Sequence, residues 1–479
     1  MFVRHSALYV LARGGPGLIN FLALVFYSRL LTPEQYGQYT LVLAGLGLVQ
    51  VVGFQWLGLC LARFLPANRD APERFLSEIK FLFSVLALVF SAAGLAVALL
   101  WPDPVWQRLV ALAVPLLIAS AWFELNLTYA ASALRPSLYG CINLTKSSVA
   151  LALGLLLAWL GLGAYSPLWG LLLGVSLAPL IFGRSVWQGI KPIRPNPEKI
   201  KTLLAYGMPL AANFALTWVV VSSDRFLLGW LLDVGSAGQY AVGYDLAQHS
   251  IGVLLMIVNL AAYPLAIHAF ERDGEEAARN QLRENGAVIL SLAFTASAGV
   301  AVLAPLLGGL LLGAEYRDTA VELLPWVALA AALSGIKAYY FDIAFHLGNA
   351  TIKLVWISVG AAFVNIILNL ICIPTYGILG AAYATVLAYL VGAVASAWVG
   401  RHFFILPDFA PLVVRALIVA APSAAAAWFA MQYEGWIGLG LGLLAGMVAA
   451  VACAISINLV GVRRGLHRWF RSVKAGSRL

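Results

Sequence analysis

The sequence predicts an all-α polytopic membrane protein with about fourteen transmembrane helices. The first observation is compositional: 62% of the 479 residues are hydrophobic, 11% are charged, and the mean hydropathy is +0.90. A soluble domain has roughly 45–50% apolar and about 25% charged residues. The second observation is a series of apolar runs, each near the roughly 20 residues that a spanning helix needs. Most side chains must therefore face lipid or one another.

The first six apolar runs predict an N-terminal six-helix bundle within residues 1–187. The polar breaks between them are short, which favours antiparallel neighbours joined by tight connections. The predicted spans are Ala7–Leu31, Gln38–Ala62, Glu78–Trp101, Val105–Leu134, Leu138–Leu162 and Pro167–Trp187.

A proline-rich basic segment, Lys191-Pro-Ile-Arg-Pro-Asn-Pro197, follows the sixth run. Proline cannot continue a helix, so residues 188–202 are predicted to be a cytoplasmic linker. A C-terminal six-helix bundle is then predicted for residues 203–405, accessory helices thirteen and fourteen for 411–463, and a basic cytoplasmic tail for 464–479. The predicted spans are Leu203–Leu232, Gln239–Phe270, Gln281–Leu312, Ala320–His346, Thr351–Ile373, Gly377–Arg401, Pro411–Met431 and Trp436–Val462.

The distribution of basic residues predicts the orientation of these spans. With the N-terminus in the cytoplasm, 24 of the 30 Lys and Arg residues fall on the inner side and 4 on the outer side. This asymmetry follows the positive-inside rule and predicts that both termini are cytoplasmic. The net charge of +9 thus indicates topology and contact with anionic membrane lipids rather than nucleic-acid binding.

An internal repeat relates the first and seventh spans. Pro16, Asn20 and Phe21 match Pro209, Asn213 and Phe214, and Gly37-Gln38-Tyr39 matches Gly238-Gln239-Tyr240. A period of six spans predicts two parallel, pseudo-symmetric halves. Transporters built from such repeats hold their substrate near the midplane between the halves, and the halves rock to give alternating access.

Several motifs carry a family resemblance over nearly the whole chain: Tyr27-Ser-Arg-Leu-Leu-Thr-Pro-Glu-Gln-Tyr-Gly-Gln-Tyr39, Tyr206-Gly-Met-Pro-Leu210, Asp224-Arg-Phe-Leu-Leu-Gly229, Ala237-Gly-Gln-Tyr-Ala241 and Ile373-Pro-Thr-Tyr-Gly-Ile-Leu-Gly-Ala-Ala-Tyr-Ala-Thr385. The chain resembles the oligosaccharide (O-antigen type) flippases of the multidrug/oligosaccharidyl-lipid/polysaccharide exporter superfamily. The resemblance implies two six-helix bundles in a V around a central cavity, followed by two accessory helices. It also implies a polyprenyl-pyrophosphate-linked oligosaccharide as substrate, moved from the cytoplasmic to the outer leaflet of the bacterial inner membrane.

Polar and ionisable residues within spans are the candidate substrate and cavity residues, because a charge there costs at least about 2.5–3.5 kcal/mol on insertion scales. Arg13 precedes Gly14-Gly15-Pro16-Gly17 and could grip the pyrophosphate through its guanidinium. Alternatively, the span begins at Gly14 and Arg13 lies at the interface. The full set is Arg13, Asn20, Glu124, Lys146, Asn213, Asp224, Arg225, Asp245, His249, Lys337 and Asp342.

Two groups of these residues suggest ion coupling by H⁺ or Na⁺. Lys337 lies five residues before Asp342, so we expect it to point elsewhere and to have a partner on another helix, either as a cationic wall of the cavity or in a structural ion pair between helices. Asp342 and His346 are four residues apart and share a helix face, as do Asp245 and His249. Each of these pairs could form a proton relay; alternatively, His249 could have a helix-end or polar packing role.

The remaining candidates each leave two interpretations open. Glu124 could pair with Lys146, or Lys146 could extend to the inner interface. Asp224 and Arg225 are adjacent and should face different directions, so that one of them could point to the cavity while the other reaches the outer interface. Asn20 and Asn213 could satisfy carbonyls freed by the preceding prolines or bind sugar hydroxyls. The aromatic side chains Trp218, Tyr340 and Phe341 could stack on sugar rings or pack in the core.

Motifs for enzymatic chemistry are absent from the sequence. There is no Walker loop, no H-E-x-x-H motif and no G-x-S-x-G elbow, and the four cysteines show no metal-binding spacing. We therefore predict a non-enzymatic flippase without a cofactor, whose partners are a lipid-linked oligosaccharide, membrane lipids and, as an open question, polymerase machinery. The alternatives are a cation-coupled drug or metabolite exporter of the same superfamily and a membrane glycosyltransferase or polymerase, against which the short outer loops argue.

Overall fold

The computed structural model describes the backbone of residues 2–68 and 72–459, and their side chains except at 2–14, 217 and 220. These residues form seventeen α-helices and no strand. The chain divides into two compact units, Met1–Ala241 and Val242–Leu479. The predicted bundle boundaries remain predictions, and the predicted basic tail lies outside the described residues.

The first unit contains nine helices, several of which begin with a proline at the first helical position, where the missing N–H costs nothing. Capping side chains fix some of these starts: the Thr32 hydroxyl accepts the Gln35 N–H, and Asp103 accepts the N–H groups of Val105 and Trp106. The helices are α1 Phe2–Leu30, α2 Pro33–Gln50, α3 Trp56–Phe64, α4 Pro72–Leu100, α5 Pro104–Ser132, α6 Pro136–Trp159, α7 Tyr165–Ala178, α8 Arg184–Trp187 and α9 Pro197–Leu231.

Two π-helical segments interrupt this unit: Val51–Gln55 joins α2 to α3, and Pro179–Gly183 joins α7 to α8. Residues 190–196, the proline-rich part of the predicted linker, are not helical, as their sequence indicates. The linker is fixed to α4, because Lys80 Nζ donates to the Ile190 carbonyl at 2.8 Å and the buried Glu78 carboxylate forms an ion pair with Lys199.

Glycines permit close packing of α6 against α7. A Cβ atom at Gly170 would lie 2.5 Å from the Ala150 carbonyl oxygen, and one at Gly174 would lie 2.5 Å from the Lys146 carbonyl oxygen. This Gly-x-x-x-Gly spacing brings helix backbones together in membranes, where the attraction between helices comes largely from such contact. The crossing fixes the backbone position of Lys146.

The second unit contains the rest of the helical chain, with a π-helical turn at Lys337–Phe341 between α12 and α13. The last two helices pack against each other, and Leu303, Ala427 and Leu439 form a small buried cluster beside them. The helices are α10 Val234–Val302 (whose first turns belong to the first unit), α11 Ala304–Leu311, α12 Ala314–Ile336, α13 Ile343–Leu347, α14 Thr351–Tyr376, α15 Ile378–Gly400, α16 Phe409–Ala430 and α17 Gly435–Ser456.

Helix α10 corrects one expectation. Its 69 residues cover both the eighth and the ninth predicted spans, which meet at a break inside the predicted connection 271–280, but that connection is helical on both sides of the break rather than a loop. The only non-helical residue inside is Gly274, with φ 85° and ψ −170°, a conformation almost restricted to glycine. The break at Gly274 divides the element into two helices, which agrees with two predicted spans rather than one.

Eleven helices of the described chain are long and apolar enough to cross a membrane, or twelve if the bent pair Pro197–Leu216 and Val221–Leu231 counts as one span. The two halves of that pair meet at 50°. The prediction of an all-helical polytopic membrane protein is therefore confirmed. The count of fourteen spans and the two six-helix bundles stay predictions.

The two repeat motifs contact each other within the first unit. A Cβ atom at Gly37 would overlap the carbonyl group of Val234, and one at Gly238 would overlap the carbonyl oxygen of Pro33 and approach the Gly37 nitrogen at 2.7 Å. Glycine at both positions lets the N-terminal turns of α2 and α10 touch through their backbones.

Candidate functional site

A small polar cleft lies between α2–α3 and α5 of the first unit, and we call it the α5 cleft. Its polar lining residues are Gln50, Gln55, Glu124 and Thr128. Its volume is about 40 Å³, enough for about three water molecules at 10–15 Å³ each. A cleft of this size and chemistry can hold water, a small cation or a single hydroxyl group, but not a whole sugar ring.

The π-helical segment Val51–Gln55 forms one side of the α5 cleft. In a π turn the backbone hydrogen bond spans five residues instead of four, and such turns often lie at functional sites. Gly58 follows one turn later, and a Cβ atom there would lie 3.7 Å from Thr128 Oγ1. Local widening of the helix and a glycine thus place amide and hydroxyl groups beside the Glu124 carboxylate.

Glu124 and Lys146 lie near enough to interact electrostatically. They are not among the ion pairs of the described residues, which require a nitrogen–oxygen distance of at most 4.0 Å. Lys146 Nζ instead lies 5.7 Å from the centroid of the Phe123 ring, a cation–π distance. The structure therefore brings the predicted partners into one neighbourhood without joining them directly.

Lys337 and Asp342 correct a second expectation. Lys337 Nζ donates to Asp342 Oδ2 at 2.8 Å, and Ser396 Oγ donates to Asp342 Oδ1 at 2.7 Å. The prediction that Lys337 points away from Asp342 is wrong because the turn between them is π-helical. In that turn the Asp342 N–H bonds to the Lys337 carbonyl at 2.9 Å, which puts residues five apart on the same face.

The predicted relay from Asp342 to His346 is not assembled. The hydrogen bonds of Asp342 go to Lys337 and Ser396, while the exposed His346 ring lies edge-on to Tyr263 with centroids 5.7 Å apart. In α10, Asp245 is half-buried and His249 is exposed, and their joint role in proton uptake stays a prediction.

Asp224 faces the interior of the first unit. It is 2% exposed and accepts a 2.8 Å hydrogen bond from the Tyr240 hydroxyl, while its neighbour Arg225 is half-buried. Tyr240 belongs to the Gly238-Gln239-Tyr240 repeat motif. The structure therefore links a predicted site carboxylate to that motif.

For the remaining candidates, Arg13, Asn20 and Asn213, the structure gives the position on a helix. Arg13 lies on α1, but its side chain is outside the described residues. Asn20 is exposed on the same helix, beyond the internal Pro16, and Asn213 is half-buried on α9, beyond the internal Pro209. Their roles toward a substrate stay predictions.

The three inner aromatic side chains pack against protein. Trp218 Nε1 donates to the Ala44 carbonyl at 2.9 Å. The Tyr340 hydroxyl donates to the Pro407 carbonyl at 2.9 Å, and the buried Phe341 ring stacks near Phe409 with centroids 5.0 Å apart. The packing interpretation holds for this arrangement, in which Tyr340 and Phe341 are not available to a sugar.

Sequence reasoning missed Gln50, Gln55, Thr128 and Ser396. Each is an uncharged polar residue inside an apolar helix, and a search for charges passes over such residues. Gln50 and Gln55 are five residues apart, a spacing that puts side chains on one face only in a π-helical turn. The five-residue spacing of these two glutamines is the feature of the sequence that could have indicated the cleft.

Comparison with known proteins places this geometry in a family. A 424-residue match at 23% identity to a "Putative O-antigen transporter" of Shigella flexneri covers 83% of this chain and 97% of that protein. A 246-residue match at 22% identity to an uncharacterized membrane protein of Methanocaldococcus jannaschii covers 49% of this chain and 47% of that protein. The chain thus matches about half the length of the archaeal relative and nearly all of the bacterial one.

Solved structures show the same fold at low sequence identity. The lipid II flippase MurJ in an inward closed conformation superposes with a TM-score of 0.78 at 15% identity, over 94% of this chain and 99% of that one. An inward-facing multidrug resistance MATE family transporter of the MOP superfamily gives 0.64 at 14% identity, over 81% and 94%. The relatives with a stated activity are transporters and flippases, which confirms the prediction of a protein that is not an enzyme. The family model described as "Polysaccharide biosynthesis protein" matches residues 26–321, more than half of the sequence, and the chain belongs to that family.

Proposed function

We propose that this protein flips a polyprenyl-pyrophosphate-linked oligosaccharide from the cytoplasmic to the outer leaflet of the bacterial inner membrane, for export of a cell-surface polysaccharide. The observation that carries the proposal is a combination: a chain of a polysaccharide biosynthesis family has the fold of lipid flippases and exporters. Alternating access between two halves is the mechanism that the internal repeat favours.

The chemistry of the substrate matches the polar groups inside the spans. A polyprenyl tail can remain in lipid, the sugar needs hydrogen-bonding partners, and the pyrophosphate needs a cation. The α5 cleft offers amide, hydroxyl and carboxylate groups for individual hydroxyls. Lys146 is a cation that interacts with Glu124 of that cleft, and Arg13 is the second cation that we assign to the pyrophosphate.

Lys337 is less suited to substrate binding. Its charge is already balanced by Asp342, and a phosphate would have to displace a carboxylate that is also held by Ser396. We therefore propose that Lys337 and Asp342 stabilise the second unit. If transport is coupled to H⁺ or Na⁺, Glu124 with its neighbouring oxygen donors is the better candidate, since hard cations prefer oxygen ligands.

The proposal is tested by deleting the gene and measuring lipid-linked oligosaccharide in each leaflet. Deletion should cause the lipid-linked intermediate to accumulate on the cytoplasmic side, and expression of the intact chain should restore surface polysaccharide. If the intermediate still reaches the outer leaflet at the normal rate in the deletion strain, the proposal is wrong. Labelling of the termini and of residues 188–202 from the cytoplasmic side tests the predicted orientation in the same strain.

The fold match to multidrug transporters favours one second candidate, a cation-coupled exporter of drugs or metabolites. The carboxylates Glu124 and Asp224 would suit cationic compounds. A deletion strain with unchanged surface polysaccharide and raised sensitivity to cationic compounds would favour this alternative over the flippase.

A further inference from the structure

An open groove on the first unit has no role in the function proposed above, and we call it the α4–α7 groove. Helices α4 and α7 both pack against α5, so α5 forms its floor and the other two helices form its walls. Its volume is about 600 Å³, within the range of small-molecule sites. Lining residues such as Pro115 and Leu180 are exposed, which shows that the groove is open on one side.

The lining is mostly apolar, with three serines (Ser84, Ser91 and Ser176) along it and a lysine at one end. Phe83, Ile118, Leu172 and Leu180 provide hydrocarbon, and Lys80 is the one charged residue among the described residues of the lining. Lys80 Nζ uses one of its three N–H donors on the Ile190 carbonyl, which leaves two donors for an anion. This lining suits a ligand with one anionic group attached to a hydrocarbon chain.

The aromatic ring of Trp122 lines the groove and contacts Phe83, three residues after Lys80 on α4, with ring centroids 4.9 Å apart. Tryptophan beside a lysine is the side-chain pairing typical of the membrane interface. The end of the groove that carries Lys80 therefore belongs at headgroup depth, and the apolar remainder belongs at the depth of acyl chains.

The length of the groove limits the size of the hydrocarbon chain. Lys80 and Ser91 both line it on α4, and eleven residues at 1.5 Å rise separate them by about 16 Å. Half of a hydrocarbon core of about 30 Å is about 15 Å. One acyl chain of one leaflet fits this distance, whereas a polyprenyl chain that crosses the midplane would extend beyond the groove.

We propose that the α4–α7 groove binds one anionic phospholipid, with its phosphate on Lys80 and an acyl chain along α5. By the predicted orientation, this lipid belongs to the cytoplasmic leaflet. Since Lys80 also holds the Ile190 carbonyl, the bound lipid would lie next to the linker between the predicted bundles. The site is separate from the α5 cleft and from the proposed transport substrate.

Trp122 provides a direct reporter for this site. The full-length protein is mixed with lipids whose acyl chains carry bromine, either phosphatidylglycerol or phosphatidylcholine, and tryptophan quenching is measured. Subtracting the signal of Trp122→Phe isolates the contribution of Trp122. Phosphatidylglycerol should quench that contribution at about a fivefold lower mole fraction than phosphatidylcholine, the factor expected for one lysine near a phosphate.

Two variants and one control make the experiment decisive. Lys80→Gln should remove the preference for phosphatidylglycerol, and Ala119→Phe, which fills the groove floor, should reduce quenching by both lipids. Lys353→Gln, at an exposed lysine in the second unit, should change nothing. Equal quenching by the two lipids in the unaltered protein, or a preference that survives Lys80→Gln, would overturn the proposal. Displacement by a polyprenyl phosphate at lower concentration than by phosphatidylglycerol would also overturn it. No step depends on transport, so the result is independent of the proposed function.

Discussion

The ion pair between Lys337 and Asp342 gives the sharpest test of how this protein tolerates charge inside a membrane span. Both side chains are 13% exposed and their charged atoms are 2.8 Å apart. The perturbations are Lys337→Met, Asp342→Asn and the two combined. Each single change leaves one charge without its partner, whereas the double change removes both charges and keeps similar side-chain volumes.

The magnitude follows from burial. Breaking a buried ion pair by removing one partner costs about 3–5 kcal/mol, because an uncompensated charge remains. Replacing both partners is often neutral, and after the double change the Ser396 hydroxyl can still donate to the side-chain oxygen of the asparagine that replaces Asp342. We expect each single variant to lose about 3 kcal/mol of stability and the double variant to lose less than about 1 kcal/mol.

Thermal unfolding of the detergent-solubilised protein, with aggregation followed by size-exclusion chromatography, measures these differences. The two single variants should unfold at clearly lower temperatures than the unaltered protein, and the double variant should return close to it. Lys353→Gln serves as a control for loss of a single positive charge at an exposed position. A double variant as unstable as either single variant would refute the claim that the pair is mutually compensating.

Three further predictions concern the site and the packing that positions it. Arg13→Ala should abolish restoration of surface polysaccharide in a deletion strain while leaving expression and membrane insertion unchanged; restoration at the normal level would end the assignment of Arg13 to the pyrophosphate. Glu124→Gln keeps the shape of the α5 cleft and removes its charge, so transport should fall about tenfold or more with an unchanged unfolding temperature, as measured by polysaccharide export and thermal unfolding. Gly174→Leu should lower the unfolding temperature by separating α6 from α7, because even a Cβ atom there would meet the Lys146 carbonyl at 2.5 Å; normal stability would show that the close crossing is not needed.

The sequence alone was sufficient to predict that the protein is an all-helical membrane protein with many spans. Apolar runs located the helices, although capped starts such as those at Thr32 and Asp103 were not among the predicted bounds. The predicted break between the eighth and ninth spans lies at Gly274, but the rest of residues 271–280 is helical, and this difference has a physical cause. That stretch is polar, which suggests a loop, but its glutamate, alanine and arginine residues are good helix formers, and a polar helix is stable where it extends beyond the hydrocarbon.

The candidate site was harder to predict because its residues depend on departures from regular helix geometry. In a regular α-helix with 3.6 residues per turn, Lys337 and Asp342 would point in different directions. The π-helical turn between them puts both side chains on the same face. The π-helical segment before α3 similarly determines where Gln55 lies in the α5 cleft. No pattern of hydropathy shows such a turn, because the extra residue alters the facing of side chains without altering the apolar character of the span.

The contact between Gly37 and Gly238 connects the repeat in the sequence to the packing. Gly37 approaches the carbonyl group of Val234, and Gly238 approaches that of Pro33; Pro33 and Val234 occupy equivalent positions in the two repeat motifs. A reciprocal contact, in which each motif meets the other through the same residues, is what a two-fold axis produces at a self-complementary interface. Two unrelated helices that happened to cross would have no reason to exchange equivalent backbone contacts. The crossing therefore supports the repeat on grounds independent of the sequence match. It also explains why both motifs need glycine, because a side chain at either position would push the two helices apart and break both backbone contacts.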